Sequence, residues 1–215
     1  MLFNHTKPNQ DLAKEVHNRA LECKQIIYPK IHHSQYSIKR IKWEKPLPNW
    51  YRLNTDGSSL GNLGKAGGGG LIRDHTGTWV GGFASAIGST PSIIAEHWTL
   101  RDGLTLCNQM QIQSLAELDA YVIVNMLCEH NSYWRTLSPL LDDYRNLLSR
   151  IPHHKIQHCF REVNRCADTL ARMGAEMDAN FISFDVPPVC ILDQIRLDSL
   201  DTLYCRRCIS STITL

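Results

Sequence analysis

One change of period constrains this chain more than any other feature. Up to Ala86 it reads as strands, and after Gly88-Ser89-Thr90-Pro91 the apolar residues recur at helical spacing. Trp50 to Asp56 is a short strand with Tyr51, Leu53 and Thr55 on one face. Ala66–Arg73 and Thr78–Ala86 predict a hairpin around the turn-forming Asp74-His75-Thr76-Gly77. Thr90 is placed to cap the next helix and Pro91 to be its first residue, with Ile93, Leu100, Leu104 and Cys107 in one stripe. A strand over Gln111–Glu117, helices over Ala120–Cys128 and Ser138–Leu148, a strand over Lys155–Arg161 and a helix over Asn164–Met177 complete the order. The hairpin demands antiparallel neighbours and the strand–helix–strand units demand parallel ones. The expected fold is therefore α/β, a five-stranded mixed sheet with helices on both faces.

Both ends read differently. Residues 1–45 are rich in Lys, His and Gln, with a helix predicted over Asn9–Gln25, and Trp43 to Trp50 with its two prolines reads as a linker. The segment 179–215 contains Pro187-Pro188 and no clear periodicity, so partial disorder is expected there. The apolar stretches fall well short of the ~20 residues of a membrane span, which excludes a spanning protein. The start Met1-Leu2-Phe3-Asn4-His5 has no secretory pattern, and eight irregularly spaced cysteines suit a reducing compartment. An intracellular monomer is expected, nuclear or cytoplasmic, with no membrane partner and no small-molecule cofactor. Net charge of +2 decides nothing about partners.

Four acids are awkwardly placed: Asp56 at a strand end, Glu96 inside the apolar stripe between Ile93 and Leu100, Asp119 after a strand, and Asp168 in Ala167-Asp168-Thr169-Leu170. A buried carboxylate is costly unless a positive charge meets it. The local sequence offers no Lys or Arg for all four, whereas paired divalent cations in a carboxylate nest would serve and would cut phosphodiesters. Taken singly, Asp119 also reads as a helix cap, Asp168 as a solvated acid and His158 as a surface histidine. Gly67-Gly68-Gly69-Gly70 lacks the Lys-Ser/Thr of a phosphate loop and opens a strand, so it reads as a place of close backbone approach, by packing or by a ligand. Cys205-Arg206-Arg207-Cys208 is half of a zinc site without a second half.

Leu53-Asn54-Thr55-Asp56-Gly57-Ser58, Leu71-Ile72-Arg73-Asp74 with Gly77 and Trp79, Ala95-Glu96-His97-Trp98 with Gly103-Leu104, Asp119, and His158 with Arg161-Glu162, Asn164-Arg165 and Ala167-Asp168 together resemble the type 1 ribonuclease H domain. The likeness covers about residues 46–178 and is greatest to the plant group derived from non-LTR retroelement reverse transcriptases. It implies endonucleolytic cleavage of the RNA strand of RNA–DNA hybrids by a two-metal mechanism. Two magnesium ions, with manganese able to substitute, would be held by the catalytic Asp56, Glu96, Asp119 and Asp168, and His158 would be the mobile histidine. Backbone at Gly57 and Ser58 would suit contacts to 2′-hydroxyls. Thr99 and Leu118 depart from the family pattern, and no basic protrusion stands between Cys128 and Ser138. Grip on a hybrid is then expected either to be weak or to depend on the basic segment around Lys39-Arg40-Ile41-Lys42. The alternative class is a catalytically weak, retroelement-derived nucleic-acid-binding domain.

Overall fold

The computed structural model describes residues 36–62, 64–116, 138–155 and 159–209. Two compact units divide the chain, Met1–Lys39 with Arg207–Leu215, and Arg40–Arg206. Of the first, only 36–39 and 207–209 are described, as ends of strands β1 (Tyr36–Ile41) and β8 (Tyr204–Ile209), which form a two-stranded sheet.

The second unit is built on a six-stranded mixed sheet. Its strands are β2 (Tyr51–Ser59), β3 (Lys65–Arg73), β4 (Trp79–Ser89), β5 (Ser114–Ala116), β6 (His153–Lys155) and β7 (Phe181–Phe184), in the order β6-β5-β2-β3-β4-β7. The β2-β3-β4 meander is antiparallel and aligns Asp56 with Gly69, and Gly57 with Gly68. On its other side β2 pairs in parallel with β5, and β5 with β6. The β3–β4 turn is closed by Asp74, whose Oδ1 accepts from the backbone nitrogens of Thr76 and Thr78 at 2.8 and 2.9 Å, and by Gly77 at φ +90°.

Helix α1 (Ser92–Gln109) lies on one face of the sheet and α3 (Arg165–Glu176) on the other. The proof is in the glycines. A Cβ on Gly68 would stand 2.2 Å from Thr99 of α1, whereas on Gly67 and Gly69 it would stand 2.0 and 2.2 Å from the backbone of Ala175 and Ala171 of α3. Alternate residues of a strand point to opposite faces, so this run lets a helix settle closely on each side. Packing, not a ligand, explains the four glycines. Helix α2 (Ser138–Ser149) covers α1, and Leu53, Ile72, Leu100, Leu104, Cys107, Leu115 and Tyr144 form the larger core between them and the sheet. Burying each such aliphatic side chain contributes about 1.5–3 kcal/mol. A second core of Leu71, Cys166, Ala167, Leu170 and Ile191 lies under α3.

Five expectations need correction. The segment after Ala179 is structured through Ile209: β7 adds a sixth strand, its Phe181 ring stacked on Phe83 at 5.5 Å, and helix α4 (Leu192–Ser199) follows. Strand β6 already runs at His153, ahead of the predicted start at Lys155, and Arg161, predicted to end that strand, opens a 3₁₀ turn over Arg161–Val163. The partner strand β5 starts at Ser114 rather than at the predicted Gln111. Helix α1 starts at Ser92 with Pro91 in the capping position and no side-chain cap, the Pro91 carbonyl accepting the first helical N–H groups from Ile94 and Ala95 at 3.0 and 3.1 Å. The buried stripe of α1 begins at Ala95 rather than Ile93. The helices predicted over Asn9–Gln25 and Ala120–Cys128 lie outside the described residues. Among the described residues no helix is long and apolar enough to cross a membrane.

Candidate active site

Three of the four singled-out acids line one cleft of about 500 Å³, together with Gly57, Ser58, Asn164 and three arginines, Arg161, Arg172 and Arg206. Each acid arrives on a different element: Asp56 on β2, Glu96 in the first turns of α1, Asp168 in the first turn of α3. Asp119 and His158 lie outside the described residues.

Local packing explains the gathering. A Cβ on Gly57 would meet the Glu96 backbone nitrogen at 2.2 Å, so glycine there lets the start of α1 press onto β2 directly beside Asp56. Asn164, which precedes α3 and whose backbone carbonyl accepts the Asp168 N–H at 3.1 Å, donates from Nδ2 to the Thr55 carbonyl at 2.8 Å. One side chain thus ties the start of α3 to the residue preceding Asp56. Glu96 is half-buried at the cleft, which resolves its odd place in the apolar stripe.

The electrostatics are strained by design of the chain itself. Burial first, then the neighbouring Asp168 and Glu96 charges, push the Asp56 carboxyl up to about 7, with Arg161 opposing. Hydrogen bonding toward Asp168 adds to the rise. Asp168 is itself paired with Arg172 at 2.9 Å across one helical turn. An oxygen-only donor set crowded with like charge fits hard divalent cations, which prefer carboxylate ligands. Among the described residues no three such groups stand close enough to hold an ion by themselves.

Behind the cleft lies a polar network that sequence reasoning missed. Arg73, fully buried, donates to Asp198 of α4 at 2.7 Å and to Asn54 at 2.9 Å, and its guanidinium stacks on the Trp43 ring at 3.5 Å. Trp43 also donates to Asn54 Oδ1 at 3.0 Å, and Asn54 Nδ2 reaches the Cys159 sulfur at 3.5 Å. The network braces β2 two residues before Asp56. The rim arginines were missed as well. Only Arg172 left a local signal, its four-residue spacing from Asp168.

Two sequence candidates change meaning. Lys42, expected to grip a ligand, pairs with Asp201 at 2.8 Å. Cys205 and Cys208 are free thiols in β8, and among the described residues no metal-holding group includes them.

Comparison with known proteins agrees with this architecture. The profile of the family described as "Reverse transcriptase-like" matches residues 54–174. A protein of Arabidopsis thaliana, provisionally named a ribonuclease H protein, is 36% identical over 170 residues, which is 79% of this chain. The chain spans 27% of that relative's length. Among solved structures, ribonuclease H1 of the archaeon Halobacterium salinarum is 25% identical with a TM-score of 0.54, over 60% of this chain and 99% of its own. The N-terminal ribonuclease H domain of a Mycobacterium tuberculosis protein is also 25% identical, with a TM-score of 0.52, over 59% of this chain and 94% of its own.

Proposed function

This chain belongs to the reverse transcriptase-like family, as a ribonuclease H domain of retroelement origin, and from that premise we propose that it hydrolyses the RNA strand of RNA–DNA hybrids. The observation that carries the proposal is the convergence of Asp56, Glu96 and Asp168 from three elements on one cleft, with the Asp56 carboxyl raised to about 7. A fold does not tolerate such crowding for stability's sake. It suits a site completed from outside by cations.

Asp56, Asp168 and Glu96 would hold divalent ions, with Asp119 as fourth ligand. When bound, a pair of magnesium or manganese ions lowers the pKa of an attacking water and neutralises charge on the departing 3′ oxygen. The chain's own residues do the rest. Asp56, flanked by the Asp168 and Glu96 charges, would be the ligand whose carboxylate form is most favoured by a bound cation. Asn164 and Gly57 keep α3 and α1 at fixed approach to β2, so the carboxylates are oriented before any ligand enters. Arg161 and Arg172 offset negative charge at the rim, where the phosphate backbone must come near three carboxylates. The Gly57 and Ser58 backbone, lining the cleft, would meet the RNA strand, and His158 would carry protons to and from the cleavage site.

A fluorescent hybrid-cleavage assay in magnesium or manganese tests the reading. Wild type should cut only the RNA strand and spare duplex DNA. Asp56→Asn should lose nearly all cleavage while keeping hybrid binding. Binding without cleavage by the wild type in both metals would favour the catalytically weak binding domain, and equal cutting of duplex DNA would point to a different nuclease on this fold.

A further inference from the structure

We propose that Arg206 is a phosphate-contacting residue of the cleft, supplied by a strand outside residues 54–174, the span that the family profile matches. The inference rests on the hybrid-processing reading above.

A polyanion entering this cleft meets Asp56, Glu96 and Asp168, so its backbone needs fixed cations at the rim. Of the three rim arginines, Arg161 is exposed, and the Arg172 side chain is 60% exposed and engaged with Asp168. Arg206 is different: its guanidinium is held in place. Its Nη1 donates to both carboxylate oxygens of Glu162 at 3.0 and 2.8 Å, and the guanidinium lies over the Phe160 ring at 4.6 Å. Both bonds come from one nitrogen, so Nε and Nη2 keep their donors, and among the described residues no acceptor takes them. Arg206 lines the cleft, whereas Glu162, which holds its other side, does not. A planar guanidinium fixed on one side and open on the other is suited to a phosphate oxygen pair. It also loses little side-chain freedom on binding, because the two contacts have already immobilised it.

The bland reading is that the Arg206–Glu162 pair only fastens β8 to the 3₁₀ turn at Arg161–Val163. Salt dependence separates the two, because a structural fastening releases no counterions from the ligand. The test uses the full chain and a short fluorescein-labelled RNA–DNA hybrid in EDTA, so that binding is read without cleavage, by anisotropy across a salt series. Arg206→Gln should weaken binding about tenfold and lower the slope of log affinity against log salt by about 0.7–0.9. Arg206→Lys should keep most of the slope. Glu162→Gln, which frees Arg206 of its internal counter-charge, should raise the slope, whereas a mere fastening would leave it unchanged, so it decides the matter if Arg206→Gln fails to fold. An unchanged slope in a folded Arg206→Gln, or a slope that does not rise in Glu162→Gln, would overturn the assignment while leaving the hybrid reading intact. A wild type that does not bind the hybrid would overturn both.

Discussion

Asp56 and Asp198 are two carboxyl groups withdrawn from water in the same unit, and the fold treats them in opposite ways. Asp198 is 2% exposed and is met by Arg73 at 2.7 Å, with Gln194 donating to its other oxygen at 2.9 Å. Asp56 is met by two further carboxyls, and its own carboxyl rises to about 7 in response. A structural acid is neutralised by the chain that buries it. An acid reserved for an incoming ligand is left uncompensated, and the strain it carries is released only on binding.

The largest test of this contrast removes the structural partner. Asp198→Ala leaves Arg73 buried without a counter-charge and should destabilise the protein by about 3–5 kcal/mol, read from the urea midpoint at constant slope. A loss under ~1 kcal/mol, the level of an exposed pair, would mean that the pair is not the brace it looks to be.

The next test works through pH. In the metal-free native state Asp56 keeps its proton to about 7, whereas the unfolded chain releases it near 3.8. Between those values the native state binds more protons, so stability falls as pH rises through 7 and is fullest toward pH 4. The contribution is on the order of 4 kcal/mol. Asp56→Asn should flatten that part of the stability profile and be the more stable protein at pH 8. A wild type and variant with parallel profiles would break the comparison.

The smallest effect sharpens it. At about a hundredfold over its dissociation constant, magnesium should stabilise the wild type by about 2.7 kcal/mol, seen as a raised Tm, and should leave Asp56→Asn nearly unmoved. Equal shifts in both would place the ion elsewhere.

The same contrast explains what could be read from sequence. Glu96 betrays itself locally as a charge in an apolar stripe, Asp56 and Asp168 are legible only in the joint pattern, and the β3–β4 turn and α1 announce themselves through Asp74-His75-Thr76-Gly77 and a helical stripe. Asp198 looks like any polar residue of an irregular tail, because its partner Arg73 stands 125 positions away. Arg206 is invisible for the same reason: Glu162 and Phe160 reach it only through folding. Strand β7 escaped notice because Phe181–Phe184 is four residues long and owes its strand form to pairing with β4. The glycine run was legible as a close approach, but not as an approach from both sides at once.

That run has a consequence for the dimensions of the cleft. Glu96 and Asp168 ride on helices from opposite faces, and Asp56 sits across from Gly69 in the strand between them. Wherever side chains separate a helix from a sheet, the gap varies with their size and can drift as they are exchanged. Here the spacer is bare polypeptide, whose thickness no substitution elsewhere can alter. The cleft is therefore calibrated by covalent geometry rather than by packing: indifferent to change in the surrounding core, yet thrown out of gauge by a single methyl group at Gly57 or Gly69.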